Sequence, residues 1–434
     1  MRTSWLIDIM GTNRRGERKG IYAVTSRNST VQEVYLQQAL ADGSPALFEI
    51  SVDMTGSPGK NGKILPYDFI AKVKQIVVKV GFPPDRLFFG INGLNPSLWQ
   101  GESVEHTLKK TGAFISDLVG LGFNILGIHA GISLKGDPVD QLLPQKVIIA
   151  REAALYQAAE RAAAAVPDEK KPLYVIDIHP GQGMTEYQKK VVRKEDVEIA
   201  VDRFSQTAAA AGLPEIKERL LAVRISLGPG YNGEKVIPFD SSLLKELGGC
   251  TYNSKGMMLE ALQTDFQSRD MLDRLVNNHF ALLSVGPELT YTLREALFSL
   301  AMMENETMIG KPGVYLSNFI IELDRAMQSA PQHWQKYYTG NGFEQLIARK
   351  YSLYDRSRFF WEDKNVRKMK KRLYDNMVKY PVPLTVLRQF MPRQYERVTA
   401  GKIENKPDAL VMDAVRCALR RYSCACGWSE NPHD

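Results

Sequence analysis

Through roughly the first 290 residues, short apolar and β-branched runs alternate with longer stretches of helical periodicity. The short runs are Gly20–Val24, Ala46–Ile50, Arg86–Phe89, Ile125–Ile128, Leu173–Ile178, Leu221–Leu227, Met257–Leu262 and Phe280–Val285. Between them, stretches such as 68–80, 103–118, 144–165 and 196–211 repeat apolar residues at helical spacing. Strand-then-helix alternation implies parallel βαβ units, and eight such units imply a closed (β/α)8 TIM barrel of the α/β class. An open doubly wound sheet is the competing architecture, but no GxGxxG follows the first run. The seventh run is the weakest strand, because Met and Glu dilute it. After Glu304 the strand signal stops, and residues 315–434 read as helices broken near Pro381 and Pro392. Their aromatic residues (Trp334, Tyr337, Tyr338, Tyr351, Phe359, Phe360, Trp361) suit a helical C-terminal extension packed on the barrel. The expected division is 1–304 for the barrel and 305–434 for the extension.

Composition changes this picture little. The chain has 434 residues, 44% apolar and 24% charged, which is globular and long enough for a barrel with an appendage. The N-terminus reaches Asp8 too soon for a signal peptide and no apolar run approaches a membrane span, so a cytoplasmic protein is expected. Of 4 cysteines, Cys417, Cys424 and Cys426 lie near the C-terminus. Cys424 and Cys426 lack the second half of a zinc site and read as reduced thiols near a frayed tail. A net charge of +7 suits an anionic small molecule or nucleic acid. The densest basic run, residues 367–372, interleaves with Val366, Met369 and Leu373 as a solvated helix face would. No zinc-finger or RNA-binding signature accompanies it, so nucleic acid is not the expected partner.

Candidate chemistry belongs at the C-terminal ends of the barrel strands. Alternation puts Leu173, Val175, Asp177 and His179 on one face of the fifth strand, with the polar members at its exit. Ile125, Gly127 and His129 share a face of the fourth, and Glu49, Ser51 and Asp53 a face of the second. His129, Asp177 and His179 thus converge, and two imidazoles with a carboxylate can bind a divalent metal such as zinc or move a proton. Each of them alone could equally cap a loop. Arg224 lies in an apolar sixth strand and needs a partner, either Glu49 or a substrate anion. Asn92 and Asn95 end the third strand, where they serve sugar hydroxyls or a turn. Gly286, at the end of the eighth strand and just before a helix, lets backbone N–H groups approach a phosphate, with Thr290 beside it. The glycine-rich loop 228–233 lies on the same rim.

Several segments resemble one family: 264–269, 279–290 with 293–298, His333–Tyr338, Tyr351–Arg356 and Gln389–Arg397. It is the accessory (non-catalytic) subunits of class II tagatose-bisphosphate aldolase, GatZ/KbaZ type, and the likeness spans nearly the whole chain. The resemblance implies a barrel handling a phosphorylated ketose. Some members support a zinc-dependent aldolase subunit, while others look like metal-dependent epimerases working by retro-aldol cleavage and re-addition. This chain departs from the family pattern at the usual acid–base and ligand positions. Asn92-Gly93 replaces an Asp-His pair, His129 an Asp, His179 a Glu and Leu262 a His, although Glu260 and Asp265 remain. Two readings follow. Either a rebuilt site (His129, Asp177, His179, with Asn92 and Asp265) runs aldolase-type lyase or epimerase chemistry on a sugar phosphate, with Glu49, Arg224, Gly286 and Thr290 binding it. Or the chain is a catalytically inactive stabilising partner of a class II aldolase catalytic subunit. Homo-oligomerisation stays open.

Overall fold

The computed structural model describes residues 4–51, 65–138, 143–178, 192–252 and 257–430. Eight parallel strands close a barrel in chain order: β1 (Ile21–Val24), β2 (Ala46–Ser51), β3 (Leu87–Leu94), β4 (Ile125–Ile128), β5 (Leu173–Asp177), β6 (Leu220–Ile225), β7 (Met258–Ala261) and β8 (Leu282–Val285). Closure is made by β8 on β1, from Ile21 opposite Leu282 to Val24 opposite Val285. The expected strands are all present, and their ends shift by a few residues. The largest change is in β3, which runs on to Leu94 because its polar Asn92 pairs in register with Ser51. Its pairing with β4 slips between Ile91 and Leu94, with Gly93 in the left-handed region at φ 64°.

Residues alternate between two apolar environments, as a covered parallel sheet requires. Tyr22, Phe48, Phe89, Leu126, Tyr174, Val223, Leu259 and Leu283 face the surrounding helices. Ala23, Leu47, Phe88, Ile125, Val175, Ala222, Met258 and Leu282 fill the interior, where Leu6 and Ile9 of the helix Ser4–Arg14 join them. That N-terminal helix, which the apolar pattern does not announce, closes the end of the barrel where the strands begin.

The C-terminal helices pack back on the barrel rather than trailing from it. The helix Pro407–Ala425 lies against the helices Pro287–Met308, Ser29–Asp42 and Arg269–Asn277. Beyond it the chain is held down, since Gly20 N–H donates to the Cys426 carbonyl (3.1 Å) and the Trp428 indole donates to the Gly20 carbonyl (2.7 Å). Cys424 and Cys426 are buried free thiols in this seal, in a packed segment where a frayed one was expected. The basic run lies on the helix Lys364–Lys379, whose Val366, Leu373 and Met377 are buried. No helix among the described residues is long and apolar enough to cross a membrane.

Candidate active site

At the C-terminal mouth, the inward positions of the strands turn from apolar to ionic. In register across the sheet, Asp177 of β5 neighbours Arg224 of β6, and Arg224 neighbours Glu260 of β7. Arg224 Nε donates to Glu260 Oε2 at 3.0 Å, and Nη1 reaches Asp177 Oδ1 at 3.4 Å. Its Nη2 donates to the Asn92 amide oxygen, and Asn92 Nδ2 donates to Glu49 Oε2 at 2.9 Å. Of the two partners expected for Arg224, Glu49 or a substrate anion, Glu49 is not in direct contact. Glu260 is the direct partner, and Glu49 is reached only through Asn92. Two inward glycines make the room, because a Cβ on Gly127 would lie 2.9 Å from Arg224 Nη1 and one on Gly90 would lie 2.8 Å from Glu49 Cγ.

Three carboxyls thus surround one guanidinium. Glu49 and Glu260 are fully buried and Arg224 nearly so. Burial pulls Arg224 down, but Glu260, Asp177 and Glu49 more than offset it, so the guanidinium stays protonated. Burial pushes the Glu260 carboxyl up to about 8 against the attraction of Arg224, and pushes Glu49 up as well.

His129 stands beside this network. Its backbone N–H donates to the Leu94 carbonyl at 2.9 Å, and Asn95 Nδ2 lies 3.3 Å from its Nε2. An amide donating to Nε2 puts the ring proton on Nδ1, which is sealed from solvent and has no partner among the described residues. Burial lowers the His129 pKa, and Arg203 and Arg224 add to this while Asp177 opposes it, so the ring is neutral at pH 7. Behind β5, Arg203 Nη2 donates to the Asp177 carbonyl at 2.9 Å and holds the end of the strand. His179 and Asp53 lie outside the described residues.

Asp265, Gly286 and Thr290 form a separate group on the far side of the mouth. Asp265 Oδ1 accepts the Gly286 and Glu288 N–H groups, both at 2.9 Å, so it caps the helix Pro287–Met308. The amides expected to meet a phosphate are therefore engaged within the fold. Thr290 is buried and its hydroxyl donates to the Pro287 carbonyl at 3.1 Å. Gly286 is required for packing, since a Cβ there would lie 2.1 Å from Thr25 Oγ1. Burial raises Asp265 to about 6, against the hydrogen bond from the Gly286 amide and the charges of Arg358 and Arg421.

His129 is the one expected metal ligand among the described residues, and His179 lies outside them. Asp177 and Glu260 are turned to a permanently charged guanidinium, and no three His, Cys, Asp or Glu side chains group as a ligand set among the described residues.

A closed barrel of eight parallel strands, with its polar side chains gathered at the C-terminal mouth, makes this a (β/α)8 barrel protein. The chain belongs to the D-tagatose-1,6-bisphosphate aldolase subunit GatZ/KbaZ-like family, whose model matches residues 6–427. It is 31% identical over 424 residues to the D-tagatose-1,6-bisphosphate aldolase subunit GatZ of Klebsiella pneumoniae, covering 96% of this chain and 98% of the relative. The GatZ subunit of Salmonella dublin matches at the same identity and coverage, 31% over 96% and 98%. Among solved structures, a probable tagatose 6 phosphate kinase from Sinorhizobium meliloti 1021 superposes with a TM-score of 0.82 at 27% identity, covering 94% of this chain and all of that one.

Proposed function

We propose that this chain is an accessory subunit that stabilises the catalytic subunit of a class II tagatose-bisphosphate-type aldolase. The observation that carries this reading is Arg224 in the barrel mouth. A fixed positive charge holds the centre of the layer from which a class II site would present metal ligands and a base, and the nearby carboxyls are spent on neutralising it. A divalent ion placed there would meet the like charge of the guanidinium, and the two carboxyls in contact with that guanidinium, Asp177 and Glu260, are already engaged. Membership in a family described as aldolase subunits agrees with this. The test is to follow the activity lifetime of a class II aldolase catalytic subunit with and without this chain.

One feature favours a second reading, in which the chain itself acts on a ketose phosphate. His129 is a neutral imidazole whose Nδ1 has no partner among the described residues, and Asp177 acts on it electrostatically. A sugar hydroxyl that took the place of the Asn95 amide at Nε2 would meet a lone pair able to accept its proton. Under this reading, turnover of a ketose phosphate by the chain alone is abolished by His129→Ala.

A further inference from the structure

We propose that the C-terminal extension carries a site for a phosphate monoester group, gripped by Arg356 and Arg358 at the ring of Phe359 with Arg27 as a further cation close by. The site goes beyond the accessory role and does not depend on it. The segment that supplies it is pinned to the C-terminal face of the barrel at three points. Leu353 N–H donates to the Gly233 carbonyl (3.0 Å), and the Tyr354 ring packs on Tyr231 of the loop after β6 (5.9 Å). Asp355 pairs with Arg294 of the helix after β8 at 3.2 Å, with both side chains buried. Arg27 follows β1, the strand next to β8, so it enters from the same side.

Two guanidiniums and an imidazole gather at one aromatic ring. The guanidinium carbons of Arg356 and Arg358 lie 4.5 and 5.1 Å from the Phe359 centroid, and the His333 ring stacks on it at 5.2 Å. Backbone contacts fix the posture of both forks: Arg356 Nε donates to the His333 carbonyl (2.6 Å) and Arg358 Nη1 to the Tyr354 carbonyl (3.0 Å). Arg356 also lies over Tyr337 at 4.0 Å. Among the described residues, no carboxylate lies within ion-pair distance of Arg27, Arg356 or Arg358. Three acids act on the cluster from farther off: Asp355 is paired with Arg294 at 3.2 Å, Asp265 accepts the Gly286 and Glu288 amides, and Glu362 is largely exposed 3.8 Å from Lys72. The charge of Arg27 acts on both Arg358 and His333, and burial with Arg358 pushes Arg356 down to about 10. The fold thus holds like charges together in partly buried positions, and a dianion with three acceptor oxygens relieves that repulsion. Planar forks matched to phosphoryl oxygens are the chemistry Arg supplies better than Lys. Phosphate sites of barrels also favour the side of the mouth near the last strands.

Calorimetric titration of the isolated chain at fixed ionic strength tests the site with three probes: a ketohexose 6-phosphate, inorganic phosphate and the unphosphorylated ketohexose. The two phosphorylated probes should bind and the free sugar should not. Arg358→Gln and Arg27→Gln should each weaken binding about tenfold or more. Tighter binding of the ester than of free phosphate identifies a sugar phosphate as the ligand, and equal binding identifies the free ion. Both results keep the phosphoryl site. No binding of either probe, or unchanged affinity in Arg27→Gln, overturns it. Arg27→Gln guards against misfolding, because that side chain makes no hydrogen bond or ion pair among the described residues. No aldolase is present, so failure here leaves the accessory role untouched.

Discussion

Arg224 of β6 and Glu260 of β7 stand side by side in register, and Arg224 Nε donates to Glu260 Oε2 at 3.0 Å in the sealed mouth of the barrel. Asp177 and Asn92 take up further N–H groups of the same guanidinium, so its charge is satisfied from inside the fold.

The first expectation concerns that network. Arg224→Met leaves three acids facing one another and should cost about 3–5 kcal/mol of stability, the usual penalty for breaking a buried pair from one side. Glu260→Gln should be milder, because the amide oxygen keeps an acceptor for Arg224 Nε, Asp177 and Glu49 remain as counter-charges, and burial already opposes ionisation of the carboxyl. Denaturant unfolding of both variants checks the order. Equal losses would contradict it.

Gly127 tests whether the space around Arg224 is as tight as the geometry says. A Cβ there would lie 2.9 Å from Arg224 Nη1 and 3.4 Å from the Ile91 carbonyl oxygen. The guanidinium cannot swing away without losing Glu260 or Asn92, so Gly127→Ala should cost about 1–3 kcal/mol. An unchanged melting temperature would show the network to be looser than drawn.

Asp265 gives a pH dependence with a definite sign. Its folded pKa of about 6 lies above the ordinary value of 3.8, so the folded state binds more protons between the two. The stability this contributes is complete below pH 3.8 and is lost as pH rises to about 6. Relative to Asp265→Asn, which keeps the acceptor for the Gly286 and Glu288 amides, the wild type should weaken over that window and then level off. A flat difference in unfolding free energy from pH 4 to 7 would contradict this.

Arg294 and Asp355 join the barrel to the extension through a buried pair at 3.2 Å, and Asp355 sits in the left-handed region at φ 38°. Arg294→Ala should destabilise by about 3–5 kcal/mol and make the extension more susceptible to limited proteolysis. Proteolysis at the wild-type rate would show that other contacts hold the segment.

How legible was this in the sequence? Period-two alternation placed Asp177, His129 and Glu49 on the inward face, because a barrel strand has only two faces to choose between. The partner of Arg224 was missed for a local reason. Met258-Leu259-Glu260-Ala261 lacks β-branched residues, so the glutamate that completes the pair looked like noise in a weak strand. The phosphate expectation at Gly286 came from a glycine before a helix. It could not foresee Asp265 turning back onto those amides, which takes positive φ at two non-glycine residues, Gln263 (55°) and Phe266 (63°). The arginines of the proposed phosphate site come from opposite ends of the chain and meet only in the fold.

The accessory role is tested most directly by the half-life of ketose 1,6-bisphosphate cleavage by a class II aldolase catalytic subunit, measured with and without stoichiometric amounts of this chain. The account expects the chain alone to cleave and epimerise nothing, and its addition to lengthen the partner's active lifetime severalfold. Turnover by the chain alone that disappears in His129→Ala, with no effect on the partner's lifetime, would contradict it.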